Sequence, residues 1–188
     1  MQTTGAPFGR SLFVLGGARS GKSRHAQAVA EAAASSATSN LVYVATAQAF
    51  DGEMEERISR HRADRDDRWR TVEAPLALAD SLVAADAPET VMLVDCLTLW
   101  VSNLLLADDN VAARVDQLVE TVGRLEGRII LVSNEVGLGI VPDNPLARRF
   151  RDAAGLLHQR IAAQVDSVDM VMAGLTQRWK ALLEPNPV

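Results

Sequence analysis

Gly16-Gly17-Ala18-Arg19-Ser20-Gly21-Lys22-Ser23 is the stretch on which the reading of this chain turns. It satisfies the pattern G-x-x-x-x-G-K-[ST]. Before it stands Ser11 to Leu15, a short apolar run that predicts a strand; after it, Lys22 to Ala34 is alanine-rich and predicts a helix. The backbone amides of such a turn, together with the first turn of the helix, make a concave site for anionic oxygens. Lys22 would reach the outer phosphates of a nucleotide, and the Ser23 hydroxyl would ligate Mg²⁺. A glycine-rich turn without a ligand is the bland alternative, but the strand-to-helix setting is the one phosphate binding requires. Lysine usage points the same way. Of 19 basic residues only Lys22 and Lys180 are lysines, so a chain that otherwise uses arginine has kept one lysine for this turn.

Outward from the loop, apolar runs alternate with helical stretches. Strands are predicted at Leu41 to Ala45, Trp69 to Glu73, Val91 to Val94, Arg128 to Val132 and Val168 to Ala173. Helices are predicted at Asp51 to Arg65, Leu76 to Ala85, Leu97 to Leu106, Val111 to Glu126 and about Pro145 to Val165. Continuous apolar strands separated by helices imply an α/β fold, a mainly parallel sheet with helices on both faces. Neither repeat nor linker interrupts the 188 residues, so one nucleotide-binding domain over 1–188 is expected, with residues 1–10 as a loose extension.

Asp95 ends the apolar strand Val91-Met92-Leu93-Val94. In phosphate-loop proteins an acid there completes the Mg²⁺ shell, and the competing role is an N-cap for the next helix. Arg57 to Arg70 holds six arginines and His61. Such a run is ordinarily a solvated face, and His61 also continues a stripe with Met54 and Ile58, although the arginines could neutralise a triphosphate. The loop Ser133 to Pro142 follows a strand C-terminus, where parallel sheets bind ligands. Glu135 in it could accept a proton or order the loop. His25, His158, Arg148, Arg149 and Arg151 read as packing or surface residues. Cys96 reads as a small buried residue.

Composition removes several classes. A net charge of −5 argues against a nucleic-acid grip. The lone Cys96 excludes an internal disulfide and a multi-cysteine zinc site. No apolar run reaches the length of a membrane span and no secretory leader is evident, so a soluble cytoplasmic protein is expected. Neither lysine follows an asparagine, which disfavours the N-K-x-D guanine reader of switch GTPases.

Taken together, these blocks resemble the bifunctional adenosylcobinamide kinase/adenosylcobinamide-phosphate guanylyltransferase family of cobalamin biosynthesis. The resemblance rests on Gly16 to Ser23, Tyr43-Val44-Ala45-Thr46-Ala47-Gln48, Asp51 to Arg62 and Trp69 to Pro75. It continues through Val94 to Thr98, Ser133 to Gly137, Gly139 to Pro142 and Ala147 to Asp152, with Asp143 standing where the family often has Glu. It implies a RecA-like P-loop NTPase fold, a homo-oligomer (a trimer) and two reactions. ATP or GTP phosphorylates the aminopropanol hydroxyl of adenosylcobinamide. GTP then donates GMP to adenosylcobinamide phosphate through a histidine-GMP intermediate. His61 matches the family's histidine. Thr46, Ala47, Gln48, Glu73 and Asp95 match positions around the guanine nucleotide, with Arg62 and Arg65 as further candidates. A RecA-like regulatory or motor ATPase, or a small-molecule kinase without a nucleotidyl step, would use the same loop.

Overall fold

A computed structural model of the chain describes residues 8–34, 39–48 and 65–181. The helix expected over Asp51 to Arg65, with His61 and Arg62, lies outside the described residues except for Arg65 itself.

The elements run β1 (Ser11–Gly16), α1 (Lys22–Ala33), β2 (Asn40–Ala45), β3 (Trp69–Glu73), α2 (Leu78–Ala85), β4 (Thr90–Asp95), α3 (Leu97–Leu106) and α4 (Val111–Arg124). They finish with β5 (Arg128–Asn134), α5 (Pro145–Gln164), β6 (Ser167–Met172) and β7 (Leu175–Lys180). One seven-stranded sheet has the order β3-β2-β4-β5-β1-β6-β7. Every pairing is parallel except β6 with β7. The first crossover therefore carries the chain from β1 past β5 and β4 to β2.

Strand alternation divides the core into two layers. Phe13, Val42, Val44, Met92, Val94, Ile129 and Leu131 point to the side packed by α2, α3, α4 and α5. Leu12, Val14, Leu41, Tyr43, Val91, Leu93, Ile130 and Val132 point to the other side, where α1 lies. Ala26 and Ala30, four residues apart on α1, are fully buried against that face. Their small side chains let the phosphate-loop helix lie close on the sheet.

Several polar residues fix where elements stop. Asn144 caps α5 by accepting from the Leu146 and Ala147 amides at 2.8 and 3.2 Å, with Pro145 in the first turn. Lys180 closes the other end of α5: its ammonium donates to the carbonyls of Ala162 and Ala163 at 2.9 and 3.0 Å, and to Val165. The second lysine is thus a helix terminator, and Lys22 alone serves the loop.

Three expectations need revision. β7 is not predicted from sequence, because Thr176-Gln177-Arg178-Trp179-Lys180 is mostly polar and exposed at a sheet edge and has no apolar period to read. β5 runs to Asn134, bringing Ser133 and Asn134 into the sheet. Phe8, Gly9 and Arg10 do not belong to a loose end. Phe8 is buried in the α1-side core, and the Arg10 and Ser11 amides donate to the Asp166 carboxylate at 2.7 and 3.0 Å.

β6 and β7 are joined to α1 by a charged cluster. Asp169, 1% exposed, accepts from His25 Nε2 at 2.9 Å and pairs with Arg178. Burial alone would raise its carboxyl, but the hydrogen bonds from His25 and Arg178 outweigh that and hold it below the ordinary aspartate range. A carboxyl depressed in the folded state stabilises above its unfolded pKa and loses that contribution as pH falls through the folded value. Asp169→Asn should therefore lower unfolding free energy by about 2 kcal/mol at pH 7, less than a wholly buried pair because both of its partners, His25 and Arg178, are partly exposed. Urea midpoints of the two proteins should converge as pH drops below about 4. An undiminished gap at pH 3 would show that packing, and not charge, accounts for the loss.

Candidate active site

The parallel strands β1, β2, β4 and β5 end at one edge of the sheet, and of the residues singled out by the sequence the Gly16–Ser23 turn, Thr46, Glu73 and Asp95 stand there. Gly16 closes β1. A Cβ on it would lie 2.4 Å from the Val171 carbonyl oxygen and 2.7 Å from Ser20 Oγ, so only glycine lets the chain turn here. Gly21, with φ of 97°, sets the left-handed step into α1. The loop is tied from both sides. Glu135 N donates to Gly16 O at 3.0 Å, and Gly174 N, in the β6–β7 turn, donates to Ser20 O at 2.9 Å.

Inside this frame Lys22 is 7% exposed and its ammonium spans the loop to the Gly17 carbonyl at 3.2 Å. The Ser20 hydroxyl is buried with no hydrogen-bond partner among the described residues. Gly17 is open, a Cβ there meeting nothing within 4 Å. A buried cation and an unsatisfied hydroxyl in a turn of backbone amides are what a phosphate chain would satisfy. Ser23 sits half-buried in the first turn of α1.

Asp95 ends β4, which is separated from β1 by β5, on the side of the sheet that Leu93 and Val91 share with α1. The N-cap of α3 is Cys96, not Asp95, so the capping alternative for Asp95 falls away. Its charge acts on Tyr43 of the neighbouring strand β2. Burial first, then the Asp95 charge, drive the Tyr43 phenol far above its ordinary range, so it stays a donor at any working pH. The Arg65 guanidinium lies 3.6 Å from the centre of the Tyr43 ring, which brings Arg65 to the same cluster. Tyr43 was not among the expected site residues. The sign available in the sequence was the single tyrosine inside an otherwise aliphatic strand, since a buried phenol needs a partner.

Thr46 is fully buried and acts on the backbone: its hydroxyl donates to Cys96 O and accepts from Cys96 N, both at 2.8 Å. Asn103 Nδ2 donates to the Thr46 and Pro75 carbonyls at 2.8 and 3.0 Å. These bonds lock the tips of β2, β3 and β4 together, leaving Ala47 and Gln48 half-buried just beyond and Glu73 exposed at the end of β3. Below them Asn134 donates to Thr98 Oγ1 at 2.9 Å, and Thr98 contacts Cys96 Sγ at 3.2 Å. Cys96 is buried, and burial followed by the Asp95 charge pushes its thiol up, so it packs and does not attack.

The remaining candidates are structural. Glu135 accepts from the Gly137 and Leu138 amides at 2.9 and 3.3 Å and so orders its own loop. Arg148 donates to the Pro142 and Asp143 carbonyls at 2.9 and 2.7 Å. His158 meets the buried Ser133 hydroxyl at 2.8 Å and lies against Phe13; burial holds its ring below the usual imidazole range. Among the described residues no group of His, Cys, Asp or Glu could hold a metal by itself.

Residues 12–179 match the family described as cobinamide kinase / cobinamide phosphate guanyltransferase. The chain belongs to that family. This cobinamide kinase/guanyltransferase is 52% identical to the bifunctional adenosylcobalamin biosynthesis protein CobP of Pseudomonas aeruginosa over 170 residues, 89% of this chain and 96% of the relative. It is 40% identical to the bifunctional protein CobU of Escherichia coli over 185 residues, 90% and 99% of the two chains. Two solved structures share its fold. The ATPase EscN of the enteropathogenic E. coli type III secretion system superposes with a TM-score of 0.55 at 10% identity, over 89% of this chain and 44% of that one. The flagellar accessory protein FlaH of Methanocaldococcus jannaschii does so at 0.54 and 15%, over 94% and 80%. The expected P-loop NTPase architecture is therefore the observed one. As a family member the chain is an enzyme of adenosylcobalamin biosynthesis with a kinase and a guanyltransferase activity.

Proposed function

We propose that one site at the C-terminal edge of the sheet performs both transfers. The nucleotide phosphates lie in the Gly16–Ser23 loop. In the kinase step the aminopropanol hydroxyl of adenosylcobinamide attacks the γ-phosphorus of ATP or GTP. The bond to the β-phosphate oxygen breaks, the nucleoside diphosphate leaves, and the hydroxyl proton is released. In the second reaction an imidazole nitrogen of His61 attacks the α-phosphorus of GTP and pyrophosphate departs. An oxygen of adenosylcobinamide phosphate then attacks the same phosphorus, breaking the N–P bond and giving adenosyl-GDP-cobinamide. That oxygen is already ionised near neutral pH, so the last attack needs no base. Lys22 offsets the charge that grows on the departing phosphates.

The observation that carries this reading is Lys22 buried across the loop with Asp95 ending a nearby strand on the α1 side of the same sheet. Arg62, Arg65, Thr46, Ala47, Gln48 and Glu73 are assigned to the nucleotide on the resemblance, Thr46 through the backbone it holds. Ser23 and Asp95 offer the hard oxygen donors that suit Mg²⁺, with phosphate oxygens completing the shell. When bound, the ion neutralises charge on the nucleotide. The enzyme is further proposed to be a single domain over 1–188, cytoplasmic and a homotrimer. In support, no helix among the described residues is long and apolar enough to cross a membrane.

Incubating the purified protein with adenosylcobinamide, ATP and GTP should yield masses for the phosphorylated and the GDP-linked corrinoid. Recovery of unmodified corrinoid alone would refute the proposal. Asp95→Asn should raise the Mg²⁺ concentration for half-maximal rate by about tenfold, and an unchanged Mg²⁺ dependence would remove Asp95 from the ion's shell.

A further inference from the structure

Exposed apolar side chains crowd both sides of the phosphate loop. After β5 the chain puts out Leu138, Ile140 and Val141, which are 80%, 97% and 57% exposed. No charged residue occurs from Val136 to Pro142. Inside the loop, polar groups hold the backbone: the Glu135 carboxylate takes the Gly137 and Leu138 amides, and Arg148 takes the Pro142 and Asp143 carbonyls. The polar bonds face inward and the large apolar groups face out. Water would favour the reverse arrangement unless something covers them. On the other side, the β6–β7 hairpin exposes the cross-strand pair Met172 and Leu175, at 60% and 75%.

Strand order fixes how these two edges stand. β5, β1 and β6 are consecutive neighbours, so the edges flank β1 and its loop, two strand spacings or about 10 Å apart. Both edges are joined to the loop by backbone hydrogen bonds, Glu135 N to Gly16 O and Gly174 N to Ser20 O. A ligand lying on them would sit beside the phosphates, within reach of them, but not among them.

We propose that Leu138, Ile140 and Val141, faced by Met172 and Leu175, seat the corrin ring of the acceptor. This rests on the kinase and guanyltransferase reading of the same site. The acceptor's chemistry fits. Its reacting hydroxyl hangs at the end of a flexible amide arm, so the bulky ring must be held to one side of the transferring phosphorus. The ring itself is broad, with methyl groups among the amides of its rim, so that apolar side chains can pack against the methyl groups while the amides remain in water. An uncharged, internally braced apolar edge holds such a ring without charges that would compete for the nucleotide. A second copy of this chain is the competing occupant.

The test uses full-length Leu138→Asp and Ile140→Asp, with Leu156→Asp on α5 (63% exposed in the wild type) as the control. Cobinamide binding is read by equilibrium dialysis of the coloured corrinoid, turnover by its KM, and assembly by sedimentation velocity. Each edge variant should weaken cobinamide binding and raise its KM by about tenfold or more. Protein labelling from α-labelled GTP without acceptor, and the sedimentation coefficient, should stay at wild-type values, and Leu156→Asp should change none of these. Cobinamide affinity within twofold of wild type in both variants would overturn the assignment. So would a changed sedimentation coefficient, which would make the edge a contact between copies. Wild-type protein that binds cobinamide at these residues but transfers nothing would refute the proposed reactions and leave the seat standing; wild-type protein that binds no cobinamide would overturn the seat.

Discussion

Lys22→Ala should abolish both nucleotide-dependent activities, lowering kcat/KM by about a thousandfold or more, while the protein stays folded. The ammonium lies 3.2 Å from the Gly17 carbonyl with 7% of the residue exposed, so it is held over the loop instead of sampling solvent. A compact cation is needed in that space. Lys22→Arg should fail nearly as badly, because a broad planar guanidinium cannot take the place of an ammonium against β- and γ-phosphate oxygens. The thermal midpoint should fall by only a few degrees in either variant, since neither removes apolar packing. Turnover near the wild-type rate in either protein would refute the role assigned to Lys22.

His61→Ala should lose protein labelling from GTP carrying its label on the α-phosphate, and with it the transfer of GMP. Label on the γ-phosphate should never enter the protein. Only three histidines compete for the adduct, and two are engaged in the fold. His25 Nε2 is 2.9 Å from the Asp169 carboxylate, and His158 Nε2 is 2.8 Å from a fully buried serine hydroxyl. His61 lies outside the described residues, so its assignment rests on the family resemblance and on this process of elimination. The adduct should be lost in acid and survive alkali, as a phosphoramidate does and an acyl phosphate does not. Kinase activity should persist in the variant, since a γ-phosphoryl group passes directly to the hydroxyl. Wild-type stoichiometry of α-label in His61→Ala would place the nucleophile elsewhere.

How much of this was legible in the chain depends on the range of the interaction. β1, the loop and α1 could be read together, because an apolar strand, a glycine pattern and an alanine-rich helix are all local signals. The ends of β3 and α3 were read to the residue for the same reason. Contacts between distant segments were not legible. That Thr46 bonds the backbone of Cys96, or that the Asp95 charge acts on Tyr43, follows only once β2 is known to lie beside β4. The role of Lys180 needed the return of β7 along β6, and β7 itself has no apolar face to announce it. Glu135 admitted a chemical and a structural reading until its carboxylate was found on the amides of its own loop.

The position of β1 bears on how the chain matures as it is made. Its two neighbours, β5 and β6, begin at Arg128 and Ser167, and the amide that ties down Ser20 belongs to Gly174. A ribosome-bound chain thus has its glycine-rich turn in hand before it has either wall that shapes it. Those walls lie far along the chain from β1, and closing contacts over so long a loop is slow. A nascent chain is in this way kept from gripping nucleotide until Gly174 has emerged, and a turn made early matures late.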